Sequence, residues 1–401
     1  MQNVTQRAPK STPPDEQELL RRAQGFAATL RPRNLEIARA RRVPQNVMDE
    51  LSALGLLQLA RPARYGGPDV SMDTIFRTGR AIAAGDASVA WVYCVLNSHD
   101  HLVGLFPKGV QDEYWASEHP LCASSYIPSG KVSPCENGFK LSGKWSFCSG
   151  IDFCDWVVVG GITMCPGDHP TPELRLFMLK KSEITLLDDW HVMGLSGTGS
   201  KSIVAEDVFV PNERVLRNAD VMAGTTPGGS LHTNPLYRLS VWPLFGFSII
   251  APVTGIARGA FDYMVSEFRS KPDNQEVPFD ARKHSTQMHL AEAGALIDAA
   301  ELLYERGLKE TADLIRAEKD LPIELRVRNR RDQAYLTGLC RKALDILMSM
   351  SGGRGIRQEA VVQLAFRDLY AISAHPGGNW DAASASYGSV LLGGAPTEPF
   401  N

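Results

Sequence analysis

The sequence has no Cys-x-x-Cys pair and no histidine set at zinc spacing beside its seven cysteines, which stand scattered at positions 94, 122, 135, 148, 154, 165 and 340. An odd number of dispersed thiols argues against a disulfide framework or a metal site. It suits a reducing, cytoplasmic compartment in which cysteine is a small core residue. Charge of one sign is also lacking: the formal net charge of -3 gives no electrostatic reason to expect nucleic acid or an anionic membrane as partner. Long hydrophobic runs are missing too. Asp155 to Met164 and Pro243 to Ala257 are too short for a bilayer and carry polar or Gly/Pro breaks. The polar, Pro-containing stretch Met1 to Pro14 has no apolar centre for a secretory signal and is expected to be disordered. There is no Walker A motif and no Gly-x-Gly-x-x-Gly after a strand, so no nicotinamide site is expected on this chain.

What remains is an ordinary globular composition, 44% hydrophobic and 22% charged, on a chain of 401 residues, long enough for two or three sub-domains. Val47, Leu51 and Leu54 repeat on one helical face, with Asn46 placed as N-cap and Gly55 as terminator. Apolar periodicity continues from about 73 to 106 and breaks at Pro107. From about 120 the period changes. Phe139 and Leu141 alternate with Lys140 and Ser142, and the β-rich runs Trp156–Val159, Leu174–Leu179 and Ile203–Val210 follow. Helical character then returns: Met288, Ala291, Ala295, Ala299 and Leu302 draw one stripe, and Pro322 opens a second long helix. The pattern predicts a mainly α protein with a central β domain. The divisions are a tail at 1–14, a helical domain at 15–118, a β domain at 119–215, a linker at 216–234 and a helical bundle at 235–401.

Several segments, in this order, resemble the acyl-CoA dehydrogenase superfamily: Gly55-Leu-Leu57 with Pro62-Ala-Arg-Tyr-Gly-Gly67, Ala84-Gly-Asp86, Trp190-His-Val-Met-Gly-Leu195, Gly197-Thr-Gly-Ser200, Val208-Phe-Val-Pro211, Gly255-Ile-Ala-Arg-Gly-Ala260 and Gly352-Gly-Arg-Gly355. The resemblance implies the acyl-CoA dehydrogenase fold: an N-terminal helical domain, a middle β-barrel-like domain and a C-terminal four-helix bundle. Ser124-Ser-Tyr-Ile-Pro-Ser-Gly130, Trp145-Ser-Phe-Cys-Ser-Gly150, Pro322-Ile-Glu-Leu-Arg326 with Arg330-Arg-Asp-Gln333, and Arg367-Asp-Leu-Tyr-Ala371 leading to His375 are similar to the flavin-dependent monooxygenases of that superfamily. The likeness is to oxygenase components that hydroxylate 4-hydroxyphenylacetate and a steroid-derived phenol, and more distantly to dibenzothiophene and indole or indoleacetate monooxygenases. It implies reduced FMN or FAD and O2 as cofactors, a separate NAD(P)H:flavin reductase, a small aromatic substrate and a homotetramer. Ala374-His-Pro-Gly-Gly-Asn-Trp-Asp381 contains no glutamate where many acyl-CoA dehydrogenases hold their base, and without a carboxylate the α-proton of an acyl thioester stays in place.

The same resemblance assigns roles. A C4a-hydroperoxyflavin is expected to do the hydroxylation, with Ser149 against flavin N5 and His375 near the peroxide as a proton donor titrating near neutrality. His99 is expected to face the substrate hydroxyl, with Ser125 beside it. Tyr126, Ile127, Ser129, Trp145 and Phe147 are assigned to the isoalloxazine edge and face. Arg269, together with the Gly352 and Gly353 amides, is assigned to the flavin phosphate. Arg238 is expected to meet a substrate carboxylate, and Trp242 to wall the substrate pocket. An acyl-CoA dehydrogenase, an S- or N-oxygenating monooxygenase and a non-catalytic flavin-binding protein are the alternatives.

Overall fold

The computed structural model describes residues 15–165, 171–240, 242–270 and 279–398. The tail expected to be disordered lies outside the described residues. The N-terminal domain consists of six helices: α1 (Glu16–Leu30), α2 (Asn34–Ala40), α3 (Gln45–Ala53), α4 (Met72–Ala83), α5 (Ala87–Val103) and α6 (Lys108–Trp115). Pro44, not Asn46, occupies the N-cap of α3. A proline there suits a residue that must be extended while its carbonyl opens the helix, and Pro44 sits at φ -62, ψ 148 in that region.

Seven strands follow: β1 (Cys122–Cys135), β2 (Gly138–Cys148), β3 (Trp156–Cys165), β4 (Thr171–Lys180), β5 (Thr185–Leu187), β6 (Lys201–Pro211) and β7 (Val215–Arg217). They form one mixed sheet in the order β5-β6-β2-β1-β3-β4-β7, in which only the β1–β3 pair is parallel. The register slips three times: in β1 between Ser125 and Gly130, and in β2 between Leu141 and Gly143 and again between Trp145 and Cys148. Bulges of this kind turn side chains to the other face of a strand.

The segment expected as a linker, 216–234, contains the end of β7 and a short helix, α7 (Asn218–Ala223). The C-terminal bundle is built from α8 (Trp242–Ser270), α9 (Phe279–Arg316), α10 (Ile323–Met350), α11 (Val361–Ser373) and α12 (Trp380–Leu391). α8 corrects the reading of its sequence as too short to span a bilayer, because the helix runs well past the apolar stretch. By length and composition it would cross one, yet 78% of its most apolar window is buried inside the protein, so it is the core helix of the bundle.

The stripe seen on α9 does not face the core. Met288 and Leu302 are 59% and 73% exposed, whereas Ala293, Ile297, Ala300, Tyr304 and Leu308 are buried. Helix α9 therefore has apolar residues on two faces, and periodicity alone does not say which one the chain itself covers.

α8 lies directly on α4. A Cβ added at Gly255 would meet the Arg80 carbonyl oxygen at 2.2 Å, and one at Gly259 would meet the Ala84 carbonyl oxygen at 2.5 Å. Gly255→Val should separate the two helical domains and cost about 2–3 kcal/mol or more, read as a lower midpoint in denaturant unfolding. An unchanged midpoint would show that α4 and α8 adjust without loss.

Candidate active site

Helix α5 carries the first group of site residues. Asp86 caps it by accepting from the Val89 backbone N–H at 2.8 Å, and all 17 of its residues are buried. A buried helix must satisfy every polar side chain it carries. His99 does so at both ring nitrogens: Nδ1 lies 2.6 Å from the Cys122 carbonyl and Nε2 lies 2.7 Å from Ser124 Oγ. A carbonyl only accepts, so Nδ1 carries the proton and Nε2 accepts from Ser124. Burial pushes His99 down to about 4, which keeps the ring neutral.

Around it stand Phe245, stacked at 5.6 Å, and Tyr126, edge-on at 6.3 Å. Trp242 meets Tyr126 at 5.0 Å. Tyr126 brings a buried hydroxyl close to Ser124 without a hydrogen bond of normal geometry. Ser125 points away and donates to the Ser146 carbonyl at 2.7 Å. Alternation along β1 puts neighbouring serines on opposite faces, and Ser124 is the one that meets the histidine.

The second group gathers on Trp91, also on α5. Its indole Nε1 donates to Ser149 Oγ at 2.9 Å, and its ring meets the edge of His375 at 5.7 Å. His375 follows α11 directly. Its Nδ1 accepts from the Gly377 backbone N–H at 2.9 Å, so the neutral ring carries its proton on Nε2, the opposite tautomer from His99. Burial, then the nearby Arg330 charge, pushes His375 down to about 4. This corrects the expectation of a group titrating near neutrality: at pH 7 it is a neutral N–H donor. Arg330 holds the loop itself, donating to the Pro376 and Gly377 carbonyls at 2.6 and 2.7 Å.

The strand bulges separate two aromatic residues that the sequence reading placed together. Trp145 is wholly buried and donates to the Gly160 carbonyl at 2.9 Å, so it belongs to the core of the β domain. Phe147, past the register slip, is 60% exposed at φ 68, and its edge meets Trp190 at 6.0 Å. A positive φ at a phenylalanine costs about 1 kcal/mol or more and is kept only where surrounding structure enforces it. Ile127, in the facing bulge, is likewise 60% exposed. Ser129 donates to the Lys144 carbonyl at 2.7 Å and ties the two bulges together.

The remaining candidates lie elsewhere. Arg238 is half exposed and paired with Glu318 at 3.0 Å. Arg269 is exposed near the end of α8, and Gly352 and Gly353 have open space around them. Between α8 (Trp242, Gly246) and α10 (Arg326, Asn329, Arg330, Gln333) lies a pocket. It is bordered on one side by the aromatic residues around His99 and on the other by the loop that presents His375. Arg326, missed as a site residue, lines it with a buried Nε that has no hydrogen-bond partner, and it has no acidic partner among the described residues.

Residues 13–105 match the N-terminal domain of acyl-CoA dehydrogenases and residues 247–380 match their C-terminal domain. The oxygenase subunit HsaA, a flavin-dependent monooxygenase of Rhodococcus jostii (strain RHA1), is 31% identical over 377 residues, covering 93% of this chain and 98% of its own. The oxygenase component of an FADH(2)-dependent resorcinol hydroxylase from Rhizobium sp. (strain MTP-10005) is 30% identical over 389 residues, 94% of this chain and 95% of its own. The crystal structure of the HsaA monooxygenase from M. tuberculosis superposes with a TM-score of 0.89 at 29% identity, covering 97% of this chain and all of the other.

Helices, mixed sheet and bundle in this order are the acyl-CoA dehydrogenase fold. Within it, the chain belongs to the flavin-dependent monooxygenases, as the oxygenase component of a two-component system that works with reduced flavin and O2. Its residues fit that cofactor. Two apolar side chains held outward on strand bulges, beside a buried hydroxyl and indole and a half-buried imidazole, suit a planar ring with polar edges.

The two histidines provide a direct check. Nitrogen-detected NMR of histidine-labelled protein should show His99 as the Nδ1–H tautomer and His375 as the Nε2–H tautomer. Both should stay neutral from pH 8 to about 5 and titrate only near 4. Because both folded values lie below the unfolded one of about 6.5, these rings favour the folded state above that pH. Their contribution is lost as pH falls from about 6.5 towards 4. Titration of either ring near 6.5 would refute the burial argument.

Proposed function

We propose that the chain hydroxylates a phenolic or indolic ring at the pocket between α8 and α10, with Ser149 and His375 serving the flavin and His99 serving the substrate. The observation that carries this reading is the convergence on Trp91 of Ser149, from the end of β2, and His375, from the end of α11. Bound reduced flavin supplies the activation of O2. The chain's own task is to position donors and exclude water. Ser149 Oγ would accept a hydrogen bond from the ring edge at N5, and neutral His375 Nε2–H would donate where oxygen is activated. Ile127 and Phe147 cover the ring, and Tyr126 and Ser129 edge it. Neutral His99, oriented by the Cys122 carbonyl, presents its Nε2 lone pair to a substrate hydroxyl that displaces Ser124. A hydrogen bond from the substrate there raises electron density on the ring carbon that receives oxygen.

The unpaired Arg326 supports a substrate with an anionic arm, such as an aryl-acetate, and Trp242 and Phe245 support a planar one. Arg238, held by Glu318, is less available for that task. The flavin phosphate is assigned to Arg269 and the Gly352–Gly353 amides, which lie apart from Ser149 in one chain and would be brought to it by a neighbouring copy. The exposed α9 stripe (Met288, Leu302) supports such a homo-oligomer, a tetramer by family resemblance. The six described cysteines are all free, which supports a cytoplasmic location. A separate NAD(P)H:flavin reductase supplies the reduced flavin.

The test mixes anaerobic protein and reduced FMN with O2 and a panel of phenols, indoles and their acetates, and counts hydroxylated product against H2O2. Hydroxylation of at least one ring class is the expected result, and H2O2 alone across the panel would overturn the proposal. Ser149→Ala should lower product per O2 by about tenfold or more. Arg326→Met should raise KM about tenfold for carboxylated substrates only. Leu302→Asp should reduce the sedimenting mass of the assembly.

A further inference from the structure

Ser149 Oγ is the outer end of a chain of hydroxyls. It lies 2.7 Å from Ser200 Oγ, which lies 2.7 Å from Thr198 Oγ1, which donates to the Leu195 carbonyl at 2.8 Å. All three residues are buried, with exposures of 7%, 4% and 1%. Each hydroxyl has one proton, and a carbonyl oxygen has none to give. Thr198 therefore spends its proton on Leu195. Ser200 must donate to Thr198, and Ser149 must donate to Ser200. Trp91 Nε1 donates to Ser149 from the other side. Ser149 is left with its proton directed inward and one lone pair unused.

We propose that Ser200 and Thr198 are positioning residues that give this oxygenase its preference for reduced over oxidised flavin, by fixing the direction of the hydrogen bonds that end at Ser149. The proposal rests on the reading of Ser149 as the residue at flavin N5. Reduced flavin carries a hydrogen on N5 and donates, which matches a Ser149 that accepts. Oxidised flavin has only a lone pair on N5, and a Ser149 whose proton is committed inward sets lone pair against lone pair. The hydroxyls can adapt by reversing, which releases the Thr198–Leu195 bond, or by Ser149 turning out alone, which releases the Ser149–Ser200 bond. Leu195 O keeps its other donors, Thr198 N at 3.1 Å and Trp190 Nε1 at 3.2 Å, so the bias amounts to about one hydrogen bond. That corresponds to roughly three- to tenfold in relative affinity. The spent, oxidised cofactor is thereby displaced by the reduced form the reductase supplies.

The experiment measures two dissociation constants on the full chain: oxidised FMN in air, and chemically reduced FMN under anaerobic conditions. In the parent the ratio Kd(oxidised)/Kd(reduced) exceeds one. Ser200→Ala and Thr198→Val should each lower it about three- to tenfold, mainly by tightening oxidised FMN. Thr198→Ser, which keeps the hydroxyl, should restore it. The midpoint potential of bound FMN should fall in step with the ratio, a shift that a merely structural loss would not produce. Parent-like ratios in both Ser200→Ala and Thr198→Val would overturn the proposal while leaving the flavin site intact. Failure of the parent to bind either form of FMN would overturn the flavin reading and this proposal with it.

Discussion

The burial of α5 along its full length is the constraint on which the rest of the structure depends. A helix enclosed on every side has no solvent face for polar groups, yet this one carries Asn97, Ser98, His99, Asp100 and His101 into the interior. Each must find its partner in the protein, and the partners come from different domains. Asn97 holds the Leu59 N–H and the Leu56 carbonyl, His99 holds the start of β1, Asp100 accepts from Tyr114 on α6, and His101 lies 3.3 Å from the Leu236 carbonyl. Leaving one such group unpaired costs about 1–3 kcal/mol, so these bonds locate α5 against its neighbours as firmly as the apolar packing does. Because Trp91 and His99 are two turns apart on that helix, fixing α5 fixes the distance between the flavin side and the substrate side of the site.

The same burial governs protonation. Burial holds His99 and His375 near 4, while it raises Asp86 to about 6 and Asp368 to about 7. The interior disfavours charge of either sign, so the site works with neutral donors and acceptors whose orientation is set by carbonyls and amides. The opposite tautomers of the two histidines follow from what each Nδ1 meets, a carbonyl in one case and an amide N–H in the other. Orientation by backbone groups survives changes in pH that would reverse a charge-based arrangement.

The order of domains and most element positions were legible in the sequence, because period and punctuation report local structure. What was not legible depends on a one-residue change of face or on a contact made from far away. Trp145 and Phe147 are two residues apart and would share a face on a regular strand; a register slip separates them into core and surface. Ser124 and Ser125 could be told apart only by knowing which face of β1 meets α5. Trp91 reads as one more apolar residue of a buried helix, and its indole matters only because Ser149 and His375 converge on it. Arg238 and Arg326 look alike in sequence, and only the fold pairs the first with Glu318 and leaves the second without an acidic partner among the described residues. The α9 stripe was a real pattern, but periodicity alone does not say which of two apolar faces the chain's own core uses.

Helix α11 links the two halves of the flavin environment in a way neither sequence nor motif suggests. Asp368 accepts from the Leu195 N–H at 2.6 Å, and a Cβ at Gly194 would meet the Arg367 carbonyl oxygen at 2.1 Å, so α11 lies directly against the peptide at 194–195. Leu195 sits at φ 55, a conformation that an L-residue keeps only when held. Its N–H is held by Asp368, and its carbonyl receives Thr198 and Trp190. Two residues beyond the C-terminal end of α11 stands His375. One rigid helix therefore sets the place of the histidine directly and the place of the Ser149 hydroxyl through Leu195, Thr198 and Ser200. A shift of α11 would move both together, so the relation between the two groups would survive small motions of the bundle. A site assembled from independent loops would have to maintain that relation group by group.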